Sequence, residues 1–245
     1  MKIVLVQVIY NEIKMLPWKM KWAAENGIEI FTFDNYSSDG STEWLEKNGC
    51  DFEMLDTGGM FSLRKNNEAI TKKLYQLNPD WCLVAGCDMF YKLLDYDIKL
   101  NKFIEIAEQQ GYNAIDCSRL FNFYYTGTEN DNKDPRKQYF YYEEKSDWKI
   151  SLIAKYDKSL WIDGDQFFVR DRTLFKYPDF VCLHYWHRSD ARERFISKWQ
   201  RRYKSWQAGI DIKSHGGHYP DIIMKDKWIY EPGELKDIRE LKAKI

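Results

Sequence analysis

Four short apolar segments alternate with helical segments over the first 90 or so residues, and this alternation constrains the fold more than any other feature. The apolar segments are residues 3–9, 28–33, 50–55 and 81–85. Strands that alternate with helices through short connections are typical of a parallel sheet with right-handed crossovers. We therefore predict an α/β fold with a Rossmann-like, mostly parallel central sheet flanked by helices.

Polar side chains follow three of these four apolar segments. Asn11 and Glu12 follow the first, Asp34 and Asn35 follow the second, and Asp88 follows the fourth. The carboxyl ends of parallel strands border the crevice in which open α/β sheets bind their ligands. We therefore expect these side chains to face a binding site, although polar residues also form the turns after core strands in any fold.

The segment WCLVAGCDMF, residues 81–90, ends its apolar run on a single acid, Asp88. Gly86 leaves the backbone open to close approach by a ligand. Carboxylate oxygens are the ligands that hard divalent cations select, and phosphates complete their coordination. His184 ends another apolar run, and an imidazole beside a carboxylate suits Mn²⁺ better than Mg²⁺. The alternatives are a structural or capping role for His184 and a simple turn at Asp88.

The regular alternation weakens after Asp88. The polar segment 126–137 is either a lid or a solvated insertion. The sequence WIDGDQFFV, around Asp163 and Asp165, predicts a hairpin. The other predicted elements are a helix at 98–110, an aromatic strand at 112–125, strands at 149–156 and 180–183, a helix at 190–207 and a closing helix at 234–245. Because no repeat, linker or low-complexity tract divides the chain, we expect one domain.

Composition excludes several classes of protein. The 245 residues are enough to bury a core, and a net charge of -1 provides no overall field for nucleic acid. Five cysteines without C-x-x-C spacing favour reduced thiols over a disulfide framework. The N-terminal apolar stretch is too short for a spanning helix and lacks a cleavage site. We expect a cytoplasmic protein with at most peripheral membrane contact.

Three motifs, in this order, resemble those of family-2-type glycosyltransferases, which have the GT-A fold. The first is VIYNE followed by FDNYSSDGST, in which one strand ends in Asn-Glu and the next in Asp-Asn. The second is RKNNEA followed by NPDWCLVAGCDMF, which is similar to the block of that family that carries D-x-D. The third is HYWHRSDARERF, which is similar to the segment after the last core strand. The resemblance covers residues 1 to about 205.

This resemblance implies a nucleotide-sugar site built from Asn11, Glu12, Asp34, Asn35, Asp39, Arg64 and Asp88. It places Asn11 and Glu12 in the lining of the nucleotide pocket. It assigns Asp34 and Asn35 to the base or the ribose, and it implies that Asp39 supports their loop.

The same resemblance assigns Arg64 to the diphosphate or the base, because a guanidinium meets phosphate through two hydrogen bonds. It assigns Asp88 and His184 to a divalent metal, Mn²⁺ or Mg²⁺. The chain departs from the family at Gly86, where the family has its first metal-site acid, and at Met89, where it often has Glu. With one acid missing, we expect metal binding that depends on bound nucleotide.

The catalytic base of an inverting transfer is a carboxylate within hydrogen-bond reach of the acceptor hydroxyl. Asp163 and Asp165 are the candidates for this role. The alternative is that Asp-Gly-Asp serves only as the turn of a hairpin. Lys198 coincides with a lysine of the family, and its role is left open.

Basic and aromatic residues are interleaved along the segment 188–206. The aromatic positions follow helical spacing and predict a core stripe rather than rings that stack on bases. We interpret the basic residues first as a solvated face, next as a phosphate or acceptor contact, and last as a patch for an anionic membrane. The basic residues are Arg188, Arg192, Arg194, Lys198, Arg201, Arg202 and Lys204, and the aromatic ones are Phe195, Trp199, Tyr203 and Trp206. His215 and His218, in a glycine loop, are interpreted as surface residues.

These inferences combine into one GT-A-like domain over residues 1–245. We expect a nucleotide-sugar-binding half at 1–95, an acceptor half with small antiparallel strands at 96–207, and a C-terminal tail with helices at 208–245. The implied activity is transfer of a sugar, with inversion, from a nucleotide diphosphate sugar to a glycan or lipid-linked glycan acceptor; a UDP-sugar is the favoured donor. One alternative is a nucleotidyltransferase, although its glycine-rich triphosphate loop is absent. Another is a catalytically inactive carbohydrate-binding module, since the metal block is incomplete.

Overall fold

A computed structural model describes residues 1–117, 119–145, 150–163, 166–168, 171–210 and 219–242. The first third of the chain alternates strands with helices, as predicted. Its strands are β1 (Ile3–Ile9), β2 (Glu29–Asp34), β3 (Phe52–Met54) and β4 (Trp81–Val84), and its helices are α1 (Leu16–Glu25), α2 (Ser41–Lys47) and α3 (Leu63–Leu77). The four strands pair in parallel in the order β3, β2, β1, β4. This arrangement confirms the predicted α/β class with helices against a mostly parallel sheet.

Strand β1 is buried on both faces because helices cover both sides of the sheet. Ile3 and Leu5 point into the core cluster that includes α1, whereas Val4 and Val6 point into the cluster that includes α3. A strand buried on both faces needs a continuous apolar run, and the sequence of β1 provides one. The faces of the sheet are therefore filled, and the strand ends are left to form a site.

The remainder of the chain builds onto this sheet and adds a second one. The elements in order are β5 (Met89–Leu93), α4 (Leu100–Gln109), β6 (Ala114–Cys117), β7 (Arg119–Phe123), β8 (Tyr141–Lys145), β9 (Ile150–Lys155), β10 (Trp161–Asp163), β11 (Gln166–Phe168), β12 (Leu174–Lys176), β13 (Phe180–His184), α5 (Ala191–Gln207), α6 (Tyr219–Lys225), β14 (Lys236–Asp237) and α7 (Ile238–Lys242). The first sheet has seven strands, in the order β12, β6, β9, β4, β1, β2, β3. The second has five, in the order β14, β8, β7, β13, β5. The predicted hairpin is confirmed as the antiparallel pair β10 and β11.

The prediction of one aromatic strand at 112–125 is wrong. Two strands occupy this segment, and they belong to different sheets. Strand β6 pairs with β9 and β12 in the seven-stranded sheet, and β7 pairs with β8 and β13 in the five-stranded sheet. The partners of each strand are distant in sequence, so a local alternation of aromatic residues does not reveal where one strand stops.

The prediction of a closing helix at 234–245 is wrong in its first part. Lys236 and Asp237 form β14, which pairs antiparallel with Tyr142 and Tyr141 of β8. Because this pairing holds the backbone extended, helix α7 begins only at Ile238.

The polar segment 126–137 contacts the loop before α1 and the end of that helix. Lys14 Nζ lies 2.7 Å from Asp131 Oδ2, and Arg136 Nη1 lies 2.7 Å from Glu25 Oε2. Of the two interpretations of this segment, these ion pairs favour the insertion over the lid, although part of it packs against the rest of the chain and is not solvated.

Two further sequence expectations concern thiols and membranes. All five cysteines are free thiols, and four of them are buried. Within the described ranges, each helix is too short or too polar to cross a bilayer.

Candidate functional site

Asp88 lies where the chain passes from the first sheet to the second, in the connection between β4 and β5. Its backbone carbonyl accepts a hydrogen bond from the Tyr185 amide at 2.8 Å. On the neighbouring strand, His184 of β13 is in register with Met89 of β5. The antiparallel pairing of β5 and β13 therefore brings the predicted ligands, Asp88 and His184, together across 96 residues of sequence (184 minus 88).

The side chains of Asp88 and His184 face each other. Asp88 Oδ1 lies 3.7 Å from His184 Nε2, and His184 Nδ1 lies 2.9 Å from Asn122 Oδ1. An amide oxygen only accepts hydrogen bonds, so with this amide orientation Nδ1 is the donor. In the neutral ring, Nε2 then presents a lone pair toward the carboxylate. Two acceptor atoms that face each other at this distance form a pair of ligands suited to a cation.

The second carboxylate oxygen of Asp88 is paired with Arg194. Arg194 Nη1 donates to Asp88 Oδ2 at 2.9 Å, and Nη2 donates to the carbonyl oxygen of Trp186. Burial raises the pKa of Asp88, but the charge and hydrogen bond that a protonated His184 supplies, together with the charges of Arg194 and Lys198, outweigh it and hold that pKa well below its usual range. The carboxylate of Asp88 is therefore ionised at neutral pH.

Glu12 belongs to the same buried cluster of charges and is paired on both oxygens. Oε2 accepts from Arg188 Nη1 at 2.9 Å, and Oε1 accepts from Lys198 Nζ at 3.0 Å and from Arg194 Nη1 at 3.4 Å. Burial raises the pKa of Glu12, but Lys198, Arg188 and Arg194 outweigh it, so the pKa is lowered overall. Its contacts are those of a counter-ion for three basic side chains, and it also lines the cavity beside Asp88. Its predicted place in a nucleotide pocket stays a prediction.

Hydrogen bonds from the loop after β2 hold the loop that carries Asn11 and Glu12. Asn11 has a φ of +56°, which turns the chain sharply after β1, and its amide donates to Ser37 Oγ at 2.9 Å. The Glu12 amide donates to Ser41 Oγ at 3.2 Å. Asp39 Oδ1 accepts from that same hydroxyl at 2.6 Å. Asp39 therefore fixes the hydroxyl that binds the Glu12 amide, and its predicted support of the loop of Asp34 and Asn35 stays a prediction.

Asp34 and Asn35 have different surroundings. Asp34 is fully buried, and its carboxylate accepts from the Ser37 amide at 2.9 Å and from the Thr42 hydroxyl at 2.5 Å. Asn35 lines the cavity beside Asp88, and its Oδ1 accepts from Thr57 Oγ1 at 2.9 Å. Asp34 therefore shapes the loop, and Asn35 is the one of the two that reaches the cavity.

This cavity, of about 140 Å³, lies between the ends of β1 and β4 and the inner face of α5. The guanidinium of Arg201 lies 3.7 Å from the ring centre of Tyr10, and that of Arg202 lies 3.7 Å from the ring centre of Phe61. Arginines stacked on rings make a wall that is rigid and positive. The polar residues of the lining include Glu12, Asn35, Asn66, Asp88, Lys198 and Arg201.

Among the other predicted site residues, Arg64 lies away from this cavity. Arg64 is exposed and lines a separate groove with Asn67 and Trp161, whereas Asn66 lines the cavity. Asp163 is the last residue of β10. Asp165 lies outside the described residues, as do His215 and His218.

The sequence interpretation missed the buried arginines of the site. Arg188, Arg194 and Arg201 are 2%, 5% and 8% exposed, which contradicts the expectation of a solvated basic face. The predicted aromatic core stripe is correct at Phe195, which is buried, but wrong at Tyr203, which is 48% exposed. One signal was present: positions 194, 198, 201 and 205 share one face of a helix, and that face meets the acids of the sheet.

The site offers a metal two protein ligands. Among the residues that the structure describes, no group of three or more His, Cys, Asp or Glu side chains could hold a metal ion. Asp88 Oδ1 and His184 Nε2 fit a cation that takes its remaining ligands from phosphate oxygens and water. The dependence of metal binding on nucleotide stays a prediction.

Comparisons with known proteins give weak likenesses. No family model matches the chain, and no curated protein matches it. Among solved structures, the chain is similar to S. aureus TarS, with a TM-score of 0.45, 10% identity, and coverage of 91% of this chain and 43% of TarS. A second TarS structure, in complex with UDP-GlcNAc, gives a TM-score of 0.43, 12% identity, and coverage of 91% and 72%. The chain is also similar to glucosyl-3-phosphoglycerate synthase from Mycobacterium tuberculosis, in complex with Mn²⁺, UDP and glucosyl-3-phosphoglycerate. This match has a TM-score of 0.32 and 12% identity, and it covers 51% of this chain and 45% of the synthase.

The chain spans less than half the length of the first TarS structure. With TM-scores below 0.5, the matches carry no argument about activity, which has to come from the residues of the site.

Proposed function

We propose that this chain transfers a sugar from a nucleotide diphosphate sugar to a hydroxyl group of a glycan or lipid-linked glycan acceptor. One observation carries the proposal: Asp88 Oδ1 and His184 Nε2 face each other at 3.7 Å, and Asp88 borders a cavity walled by basic side chains. Such an arrangement suits a diphosphate that arrives with a divalent cation. UDP is the nucleotide that we expect, on the strength of the sequence motifs.

Charge balance supports a metal that binds together with the nucleotide. The cluster contains three acids and three bases, so its formal charges cancel. A divalent cation alone would leave an excess of two positive charges in a buried site, which is unfavourable at low dielectric. A diphosphate offsets that excess. Asp88 and His184 would hold the metal, for which Mn²⁺ is the first choice. The six residues are Glu12, Asp88 and Asp190, and Arg188, Arg194 and Lys198.

The basic wall of the cavity supports binding of the diphosphate. Lys198 is paired with Glu12, and its side chain is still 26% exposed on the cavity side of α5. Arg201 and Arg202 line the same cavity. Positive groups that are fixed in place stabilise the charge that builds on the diphosphate as the bond to the sugar breaks. The metal, when bound, would add to that stabilisation as a Lewis acid.

The transfer itself is proposed to invert the configuration of the sugar. The acceptor hydroxyl attacks the anomeric carbon from the face opposite the diphosphate, and a carboxylate removes its proton. Asp163 and Asp165 stay the predicted candidates for this base.

Nucleotide binding tests the proposal directly. Titration calorimetry would compare UDP, GDP and dTDP in Mn²⁺ and in EDTA. We expect UDP to bind at least about tenfold more tightly with Mn²⁺, and His184→Ala to remove that gain while leaving the affinity in EDTA unchanged. Incubation with UDP-sugars and Mn²⁺ should then release UDP. If no nucleotide binds and glycans bind regardless of nucleotide, the chain is a carbohydrate-binding module instead.

A further inference from the structure

Gly86 leaves a space that the side chain of Asp88 fills. A Cβ atom built on Gly86 would lie 2.8 Å from Asp88 Oδ1, closer than real Cβ contacts. Gly86 is not among the glycines with positive φ, so its backbone conformation alone does not demand glycine. The reason for glycine here is space, and the group that uses the space is the carboxylate oxygen that faces His184.

Arg194 holds the opposite side of the same carboxylate. Its Nη1 donates to Asp88 Oδ2 at 2.9 Å, so Oδ2 is engaged and Oδ1 is the oxygen left toward His184. A charge-assisted hydrogen bond between buried groups is stronger and more directional than one between neutral groups. The carboxylate is thus confined between the surface of Gly86 and the guanidinium.

Arg194 is itself held in place. Nη2 donates to the carbonyl oxygen of Trp186, and Nη1 also approaches Glu12 Oε1 at 3.4 Å. The side chain is 4% exposed, so it has no room to swing into solvent. The guanidinium therefore links the start of α5 to Glu12 and Asp88, two of the three acids of the cluster.

We propose that Arg194 and Gly86 together are a positioning pair for Asp88. Gly86 stands at the position where the resembled family has its first metal-site acid. Arg194 compensates for the missing acid, because its hydrogen bond to Oδ2 fixes the carboxylate of Asp88 with Oδ1 toward His184. Asp88 can then offer a metal one oxygen atom in a fixed position. Arg194 acts through Asp88 and is not itself a ligand. The metal role of Asp88 belongs to the proposed function, whereas the positioning of its carboxylate is independent of it.

The experiment compares three variants of the full chain, each with a single substitution. Gly86→Ala adds one methyl group where Oδ1 lies. Arg194→Lys keeps the charge but loses the fork that spans Asp88 and the Trp186 carbonyl. Arg192→Met is the matched control, because Arg192 lies on the same helix with its side chain 56% exposed and pairs only with the exposed Asp226 among its described ion pairs. Thermal unfolding would establish that each variant is folded.

Two measurements separate positioning from metal binding. The first is the position of the His184 imidazole signals in nitrogen-15 correlation spectra of the metal-free protein. The second is Mn²⁺ affinity at saturating UDP, measured by electron paramagnetic resonance. We expect Gly86→Ala and Arg194→Lys to move the His184 signals and to weaken Mn²⁺ binding by about 10-fold to 100-fold, the range typical of residues that orient a metal ligand. Arg192→Met should change neither.

The outcomes are distinct. Unchanged His184 signals in both Gly86→Ala and Arg194→Lys overturn the positioning pair, whatever the metal does. Signals that move as expected, in a protein whose wild type binds no Mn²⁺ with UDP, support the positioning pair and overturn the metal role in the proposed function.

Discussion

Two acids of one buried cluster have different surroundings. Glu12 is 4% exposed and Asp88 is 6% exposed, so burial does not distinguish them. Glu12 meets three basic side chains and has a partner on each oxygen. Asp88 meets one arginine, and its second oxygen faces an imidazole at 3.7 Å.

The difference indicates which acid holds the fold together and which is available to a ligand. A buried carboxylate that is completely paired contributes by neutralising the cations around it, and removing it strands them. A carboxylate oxygen that faces a neutral imidazole can serve a cation together with that ring. We therefore propose that Glu12 serves the structure and Asp88 the function.

Glu12→Gln should have the largest effect on stability. The substitution keeps the shape of the side chain but removes one counter-ion from each of two buried cations, since Arg188 keeps only Asp190 and Arg194 keeps only Asp88 among their described ion pairs. We expect the free energy of unfolding to fall by about 3–5 kcal/mol, measured by chemical denaturation. The control is Glu105→Gln, which removes an exposed pair with Lys102 and should cost less than about 1 kcal/mol. Equal costs for the two variants would contradict the structural role of Glu12.

Asp88→Asn should affect metal-dependent nucleotide binding more than it affects stability. The amide oxygen of Asn can still accept from Arg194, so we expect a smaller loss of stability than for Glu12→Gln. The gain in UDP affinity from Mn²⁺ should disappear, because a metal ligand is worth at least as much as the residues that orient it. Calorimetry in Mn²⁺ and in EDTA measures this gain. A variant that retains the full Mn²⁺ effect would remove Asp88 from the metal site.

Lowering the pH should weaken the contribution of Glu12 to stability, and we expect this effect to be the smallest of the three. Its pKa is lowered in the folded protein from the ordinary 4.5, because its basic partners outweigh burial. The stabilisation is thus complete above about pH 4.5 and is lost as the pH falls through the lower folded value. The free energies of unfolding of wild type and Glu12→Gln, measured between pH 7 and pH 3, should therefore converge as the pH falls. A difference that stays constant with pH would show that the charge of Glu12 is not what matters.

The sequence predicts the first part of the fold well because that part is locally encoded. Strands β1 and β4 are apolar runs buried on both faces, and short links force them to lie parallel. The second sheet is predicted poorly. The segment 112–125 divides between two sheets, and the division depends on partners such as β13, which come about 60 residues later.

The candidate site likewise contains residues that the sequence identifies and residues that it does not. Motifs at the ends of strands identify Asp88 and His184 as a pair, and the antiparallel register of β5 and β13 places them face to face. Arg194 was interpreted as a solvated residue because a basic helix is usually exposed. Its burial follows from the docking of α5 over the strand ends.

By itself, the sequence determined the parallel core and the acids at its edge, since both follow from the order of apolar and polar residues along short segments. Only the tertiary structure decided which acid is paired, which oxygen is left toward His184, and which helix supplies the cations. Those outcomes depend on contacts such as the one between Arg194 and Asp88, 106 residues apart in the chain. The energy of a buried ion pair depends on distance and desolvation, and neither exists until the elements pack.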